Sequence, residues 1–202
     1  DAAQASTPID PTALRAAGFD PRASFAWDPT RSPYPGLSAF AEQDAAVFFG
    51  RDAEIEQLQQ RLLPTWPGRG RVIAVVGPSG SGKSSLVRAG LVPALIGRGR
   101  SVTVFIPGGD ADAALTTAIS RADDGAVLVI DQFEELFTLG TPVEERRAYV
   151  RALLAAAQGA TDNVRVVLTL RDDFLARAAQ LPELRDHLPT SLFVLGTPAR
   201  ED

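Results

Sequence analysis

Hydrophobic residues recur along the chain at two spacings, one typical of β-strands and one typical of α-helices. Short apolar runs predict five strands, and stretches with apolar residues at helical spacing lie between them. The predicted strands span 71–76, 101–106, 126–130, 164–170 and 191–195. Helices are predicted at 52–63, 86–97, 110–122, 143–158 and 172–188, and a turn with a short helix at 38–49. Pro93 is expected to kink or end the second of these helices.

The alternation of strands with helices determines the predicted architecture. Right-handed crossovers then give a parallel sheet with helices on both faces. The run 126–130 is apolar throughout, as expected for a strand buried on both faces. We therefore predict one α/β domain over 33–202. Residues 1–32, rich in Ala, Pro, Asp and Thr, are predicted to be a linker or the tail of a preceding domain, with Trp27 packing back on the core.

The loop after the first predicted strand fits the pattern G-x-x-x-x-G-K-[ST], in the strand–loop–helix context that this pattern requires. Glycines let successive backbone N–H groups point into one concavity, and the helix that follows adds the positive end of its dipole. In such loops the lysine reaches the β- and γ-phosphates, and the next hydroxyl ligates Mg²⁺. The predicted phosphate loop consists of Gly77, Pro78, Ser79, Gly80, Ser81, Gly82, Lys83, Ser84 and Ser85.

A glycine-rich turn that binds nothing is the alternative interpretation of this loop. Lys83 argues against it, because it is the only lysine in the chain, whereas the other basic residues are all arginine. In a composition that uses arginine almost everywhere, a single lysine indicates a chemical requirement at that position.

Charged residues end two further predicted strands. Asp131 follows the third strand, and Arg171 follows the fourth. Because the carboxyl ends of parallel strands meet at one edge of the sheet, where ligands bind, we expect both residues beside the phosphate loop. Mg²⁺ needs only one or two protein oxygens besides water and phosphate, so Ser84 and Asp131 form the predicted metal site.

The roles of other charged residues at this edge stay open on sequence grounds. Glu134 and Glu135 are candidates for a general base that polarises water, with a slight preference for Glu135, or are carboxylates that favour a helix start. Arg171 is either a γ-phosphate sensor or a surface arginine. His187, the only histidine, is predicted to be a surface or cap residue. The predicted catalytic set is Lys83, Glu134, Glu135 and Arg171.

Composition narrows the function classes. The 202 residues include no cysteine, which excludes disulfides and thiolate metal sites. A net charge of −5 without a long basic run argues against a nucleic-acid-binding role, and no apolar run approaches the length of a membrane span. The chain contains no methionine, so we expect an excerpt of a longer or processed protein. A cytoplasmic setting is the default expectation.

Taken together, the motifs resemble those of the STAND class of P-loop signalling ATPases, relatives of the NACHT and apoptotic ATPases, and most closely the bacterial novel STAND type 1. The resemblance extends from about residue 33 to the end of the chain. It rests on the segments 33–37, 44–51, 77–91, 129–137 and 168–171.

This resemblance implies a three-layer αβα sandwich with strand order 5-1-4-3-2 and with Arg171 near the γ-phosphate. Phe49, Gly50 and Arg51 would border the adenine and ribose of ATP or ADP, bound with Mg²⁺. Members of the class are ATP-dependent switches that oligomerise when a C-terminal repeat sensor detects a signal, and their N-terminal effector domains vary. The chain stops where the family's helical lid should begin, so we expect weak nucleotide binding and slow hydrolysis.

Other functions also fit a phosphate loop. A nucleotide or small-molecule kinase needs an acceptor-binding lid, and no insertion here is long enough for one. A transporter ATPase would carry a Leu-Ser-Gly-Gly signature, which is absent. A module that binds nucleotide without turnover stays open, and the preference for ATP over GTP rests on the resemblance alone.

Overall fold

The computed structural model describes residues 28, 30, 32–34, 36, 38–62, 71–108, 111–122, 125–138, 140–158 and 164–196. Trp27 and most of the predicted linker lie outside the described residues. The strands are β1 (Val72–Gly77), β2 (Val102–Phe105), β3 (Val127–Ile130), β4 (Arg165–Arg171) and β5 (Leu192–Val194).

Helices connect these strands. A 3₁₀ helix, Glu42–Val47, comes first. The α-helices are α1 (Asp52–Leu62), α2 (Lys83–Ser85, continuing to Ile96), α3 (Ala111–Ser120), α4 (Glu135–Thr138), α5 (Val143–Gln158), α6 (Leu175–Ala178), α7 (Pro182–Arg185) and α8 (Leu188–Ser191). None of the helices in the described ranges is long and apolar enough to cross a membrane.

All five strands belong to one sheet, and every pair runs parallel. The order β2-β3-β4-β1-β5 is the predicted order 5-1-4-3-2 viewed from the opposite edge, so that prediction is confirmed. The carboxyl ends of β3, β4 and β1 are therefore neighbours. Gly77 at the end of β1 stands opposite Arg171 at the end of β4.

Side chains of the central strands alternate between two apolar cores. In β1, Ala74 and Val76 contribute to one core, and Ile73 and Val75 contribute to the other. The first core also contains residues of α3, α5 and α7, and the second contains residues of α1 and α2. The sheet is thus covered on both faces, as the predicted three-layer sandwich requires.

Two predicted helices that contain prolines differ from the prediction. The helix predicted over 172–188 is wrong, because the segment is divided into a 3₁₀ turn, Asp172–Phe174, and the short helices α6, α7 and α8. Pro182 stands in the first turn of α7, where its missing N–H is not needed.

Helix α2, by contrast, continues through Pro93. A π-helical stretch, Leu86–Leu91, precedes the final segment, Val92–Ile96. Pro93 has no N–H to donate to the preceding turn, and it is tolerated here in the first turn of the final α-helical segment. The helix therefore does not end at Pro93, as one form of the prediction had it, but continues to Ile96.

Candidate functional site

The phosphate loop curls around the side chain of Lys83. Gly80 and Gly82 have φ angles of 77° and 88°, which L side chains rarely adopt. The Lys83 ammonium donates hydrogen bonds to the carbonyl oxygens of Gly77, at 2.8 Å, and Pro78, at 2.7 Å. The loop backbone and its lysine therefore form one hydrogen-bonded unit at the start of α2.

The electrostatic environment of Lys83 favours an anion beside it. Burial lowers the pKa of its ammonium group, and the negative charges of Glu134, Asp172 and Asp131 oppose that change. A buried cation of this kind is stabilised by a further negative charge within reach, which phosphate groups would supply.

The first residue of the loop is packed so closely that only glycine fits. A Cβ atom on Gly77 would lie 2.4 Å from the carbonyl oxygen of Leu195 and 3.0 Å from the hydroxyl of Ser81. The chain after β5 thus packs against the start of the loop. The amide of Leu195 also donates a hydrogen bond to the carbonyl of Val76 at 2.7 Å.

Asp131 faces the phosphate loop at the end of β3. Its Oδ1 atom accepts a hydrogen bond from the hydroxyl of Ser84 at 2.8 Å, which brings together the two predicted metal ligands. The same oxygen accepts hydrogen bonds from the hydroxyl of Thr169 at 2.7 Å and from the amide of Gln132 at 3.1 Å. Asp131 is only 1% exposed.

The other carboxylate oxygen of Asp131 fits a metal ion. Oδ2 is buried, and it has no hydrogen-bond partner among the described residues. A buried anionic oxygen without a partner is costly, and a divalent cation would remove that cost. A carboxylate next to a serine hydroxyl is the kind of hard oxygen donor set that Mg²⁺ prefers. The residues present therefore fit Mg²⁺.

A cavity of about 570 Å³ opens in front of these groups. Its volume lies in the range of small-molecule sites, roughly 300–1,000 Å³. Predicted site residues line it together with residues that the sequence did not single out. The lining consists of Gly36, Ser38, Ala39, Ser79, Gly80, Gly82, Lys83, Ser84, Ser85, Gln132, Glu134, Glu135, Thr138, Thr169, Arg171 and Phe174.

The two candidate bases differ in their surroundings, although both line the cavity. One oxygen of Glu134 accepts a hydrogen bond from the amide of Arg171 at 3.4 Å. Burial raises the pKa of Glu134, while backbone amides and the charges of Lys83 and Arg171 oppose that rise. Glu135 instead accepts a hydrogen bond from the hydroxyl of Thr138 at 3.0 Å within the same short helix.

Arg171 lines the same cavity, with its guanidinium held by neighbours on its own segment. Nε and Nη2 donate to the two carboxylate oxygens of Asp173, at 3.0 and 2.7 Å. The guanidinium carbon lies 5.5 Å from the centroid of the Phe174 ring. The side chains of Arg171 and Asp173 are 41% and 53% exposed, so this ion pair is accessible to a competing anion.

The segment predicted to border the adenine contacts the phosphate loop through Arg51. The Arg51 guanidinium donates to the carbonyl of Ser81 at 3.3 Å and to that of Gly196 at 2.9 Å. Phe49 is about half exposed beside it. Residues 49–51 do not line the cavity, so their contact with a base stays a prediction.

Two groups among the residues that sequence reasoning missed have contacts that explain their place in the site. Thr169 is a buried hydroxyl within an otherwise apolar strand, and that exception to the apolar pattern is a signal that could have identified it. The segment of Gly36, Ser38 and Ala39 reaches the cavity from the N-terminal side. The amide of Phe40 holds this segment in place by donating a hydrogen bond to the hydroxyl of Ser85 at 3.1 Å. The amino-acid composition of the segment did not indicate that it would line the cavity.

A comparison with protein families identifies the family to which this site belongs. The profile described as Novel STAND NTPase 1 matches residues 33–202, most of the chain. The chain belongs to this family. The STAND domain is thus a nucleotide-binding NTPase module, as the resemblance had implied. Among curated proteins, none matches the sequence.

The STAND domain is also similar to solved structures. A chain of the E. coli MS115-1 HORMA:CdnC:Trip13 complex is 15% identical with a TM-score of 0.52, over 81% of this chain and 68% of that one. The DnaC helicase loader is 16% identical with a TM-score of 0.44, over 81% of this chain and 96% of that one. The identities are low, and the first likeness supports the P-loop NTPase fold alone.

Proposed function

We propose that this STAND domain is an ATP-binding, slowly hydrolysing switch module of a cytoplasmic, multidomain signalling or defence protein. The hydrogen bond between Ser84 and Asp131, beside the buried ammonium of Lys83, carries this proposal. It joins the phosphate loop to the acidic end of β3, which is the arrangement that phosphoryl-transfer sites use to hold a nucleotide with Mg²⁺. Bound there, Mg²⁺ would neutralise charge on the β- and γ-phosphates.

Hydrolysis would use Glu134 as general base. Its carboxylate accepts a proton from a water whose oxygen attacks the γ-phosphorus, while the bond to the β–γ bridging oxygen breaks and leaves ADP. Lys83 would stabilise the negative charge on the phosphates. Arg171 would bind the γ-phosphate after leaving Asp173. Glu134 is preferred over Glu135 because its carboxylate accepts a hydrogen bond from the amide of Arg171 and interacts electrostatically with the charges of Lys83 and Arg171.

Calorimetric titration of Mg²⁺–ATP into the 202-residue chain tests nucleotide binding. We expect saturable binding that Lys83→Ala abolishes. Arg98→Ala is the matched control, because it removes an exposed cation from the turn that follows the distal end of the same helix. Equal binding by the Lys83→Ala variant would refute the site, and parallel titrations with GTP and ADP measure the base and phosphate preferences.

Phosphate release without any acceptor separates this proposal from a kinase and from a module without turnover. A slow release that requires Mg²⁺ supports the switch. Release only after an acceptor molecule is added supports a kinase. Association on activation belongs to the longer protein, where sedimentation with ATP and with ADP measures whether the triphosphate form assembles.

A further inference from the structure

We infer that Thr169 is a positioning residue, which holds the Asp131 carboxylate through Oδ1 and so keeps Oδ2 available to a metal ion. This inference rests on the proposed function, because it concerns how the same site binds Mg²⁺. The hydroxyl of Thr169 donates to Oδ1 of Asp131 at 2.7 Å, the shortest of the three hydrogen bonds that this oxygen accepts.

The hydroxyl of Thr169 has a second partner that fixes its direction. It accepts a hydrogen bond from the amide of Gln132 at 2.8 Å, so its own hydrogen is directed at Asp131. Gln132 has a φ of 54°, a left-handed conformation that is uncommon outside glycine. The carbonyl of Thr169 also accepts a hydrogen bond from the amide of Phe133 at 2.9 Å. One residue of β4 thus holds both the carboxylate and the turn that follows it.

Burial makes this arrangement rigid. Thr169 and Asp131 are each 1% exposed, so water does not replace a missing partner readily. The branched Cβ of threonine restricts its side chain to few rotamers within a strand. All three hydrogen bonds go to Oδ1, and Oδ2 is left for a cation. Residues that orient a metal ligand in this way typically change metal affinity about 10–100-fold when they are removed.

The test measures what the metal adds to nucleotide binding. A non-hydrolysable ATP analogue, adenylyl imidodiphosphate, is titrated into the 202-residue chain in saturating Mg²⁺ and in EDTA. The dissociation constant in EDTA divided by the dissociation constant in Mg²⁺ isolates the contribution of the metal, since complex formation in free solution is the same for every variant. The variants are Thr169→Val, which keeps the shape and removes the hydroxyl, and Thr169→Ser, which keeps the hydroxyl.

We expect Thr169→Val to lower this ratio by about tenfold or more, with affinity in EDTA changed by less than about twofold. Thr169→Ser should stay close to the wild type. Thr103→Val is the matched control, because it removes a hydroxyl from β2, away from the phosphate loop. If Thr169→Val does not fold, Thr169→Ala removes the same hydroxyl and is compared with Thr103→Ala.

Two results would overturn the inference and leave the proposed function standing. One is an unchanged ratio in Thr169→Val. The other is an equal loss of affinity with and without Mg²⁺, which indicates a purely structural role. No binding by the wild-type chain under either condition would refute the proposed function itself.

Discussion

At the scale of single residues, the chemistry depends on which carboxylate near the end of β3 accepts a proton. We predict that Glu134→Gln lowers ATP turnover by about 10²–10⁴-fold, the usual contribution of a general base. Glu135→Gln should retain most activity, because Glu135 is hydrogen-bonded within its own helical turn. Single-turnover phosphate release measures both variants, and the reverse order of effects would assign the role to Glu135.

Glu134 also makes the stability of the fold depend on pH. Burial raises the pKa of Glu134 in the folded chain above its ordinary value of 4.5. The stability that this group contributes is therefore complete below 4.5 and is lost as the pH rises through the raised folded pKa. Glu134→Gln should consequently be more stable than the wild type at neutral pH. That advantage should shrink as the pH falls towards 4.5, and urea denaturation at several pH values measures it.

Arg171 allows a prediction about nucleotide discrimination. Asp173→Asn should release the guanidinium and raise the preference for the ATP analogue over ADP by up to about fivefold, since exposed ion pairs contribute about 1 kcal/mol or less. Calorimetric dissociation constants for both nucleotides give the ratio. Asp186→Asn is the control, because it removes the carboxylate of another surface ion pair. The effect of Asp173→Asn should disappear in an Arg171→Ala background, and an unchanged ratio would exclude competition by Asp173.

At the scale of elements, the start of the phosphate loop depends on its contact with the chain after β5. We predict that Gly77→Ala destabilises the fold by about 1–3 kcal/mol, because the added methyl group meets a backbone oxygen that has little freedom to move. Gly108→Ala is the control, since a Cβ there would have no atom within 4 Å. Denaturation midpoints compare the two variants, and equal midpoints would show that this contact relaxes without cost.

The elements themselves were largely predictable from the sequence. Continuous apolar runs located β1 and β3 to within about a residue, because buried parallel strands usually have few polar residues, and β4 was located as closely although Thr169 interrupts its apolar run. The segment after Arg171 was predicted as one helix that begins at Asp172 and Asp173 and extends to about Leu188. In the structure, Pro182 instead begins a separate short helix. The π-helical stretch of α2 was not predictable, since its hydrogen-bond pattern leaves no distinct mark in residue spacing.

At the scale of the whole molecule, ligand binding should appear as thermal stability. At about 1,000 times its dissociation constant, a nucleotide adds about 4 kcal/mol, which corresponds to roughly 8–16 °C for a chain of this size. We therefore predict a rise in melting temperature with Mg²⁺–ATP in the wild type and no comparable rise in Lys83→Ala. A rise of equal size in both would indicate binding elsewhere.

Strand order illustrates what periodicity leaves undetermined. Right-handed crossovers restrict the topology, but they do not establish that β4 lies between β1 and β3. That order came from the family resemblance. It decides the site, because it makes Thr169, Asp131 and the phosphate loop neighbours. The contacts of Thr169 could not be predicted from spacing, since they depend on the register of Leu168 against Ile130 across the sheet.

The hydrogen bond from Phe40 to Ser85 has a mechanical consequence. Ser85 follows Ser84 directly at the start of α2, so the chain that enters the domain touches the phosphate end of that helix. Tension on the chain before Phe40 would break this hydrogen bond and move Ser38 and Ala39, which form one wall of the cavity. Such tension would thereby lower the affinity of the domain for a nucleotide.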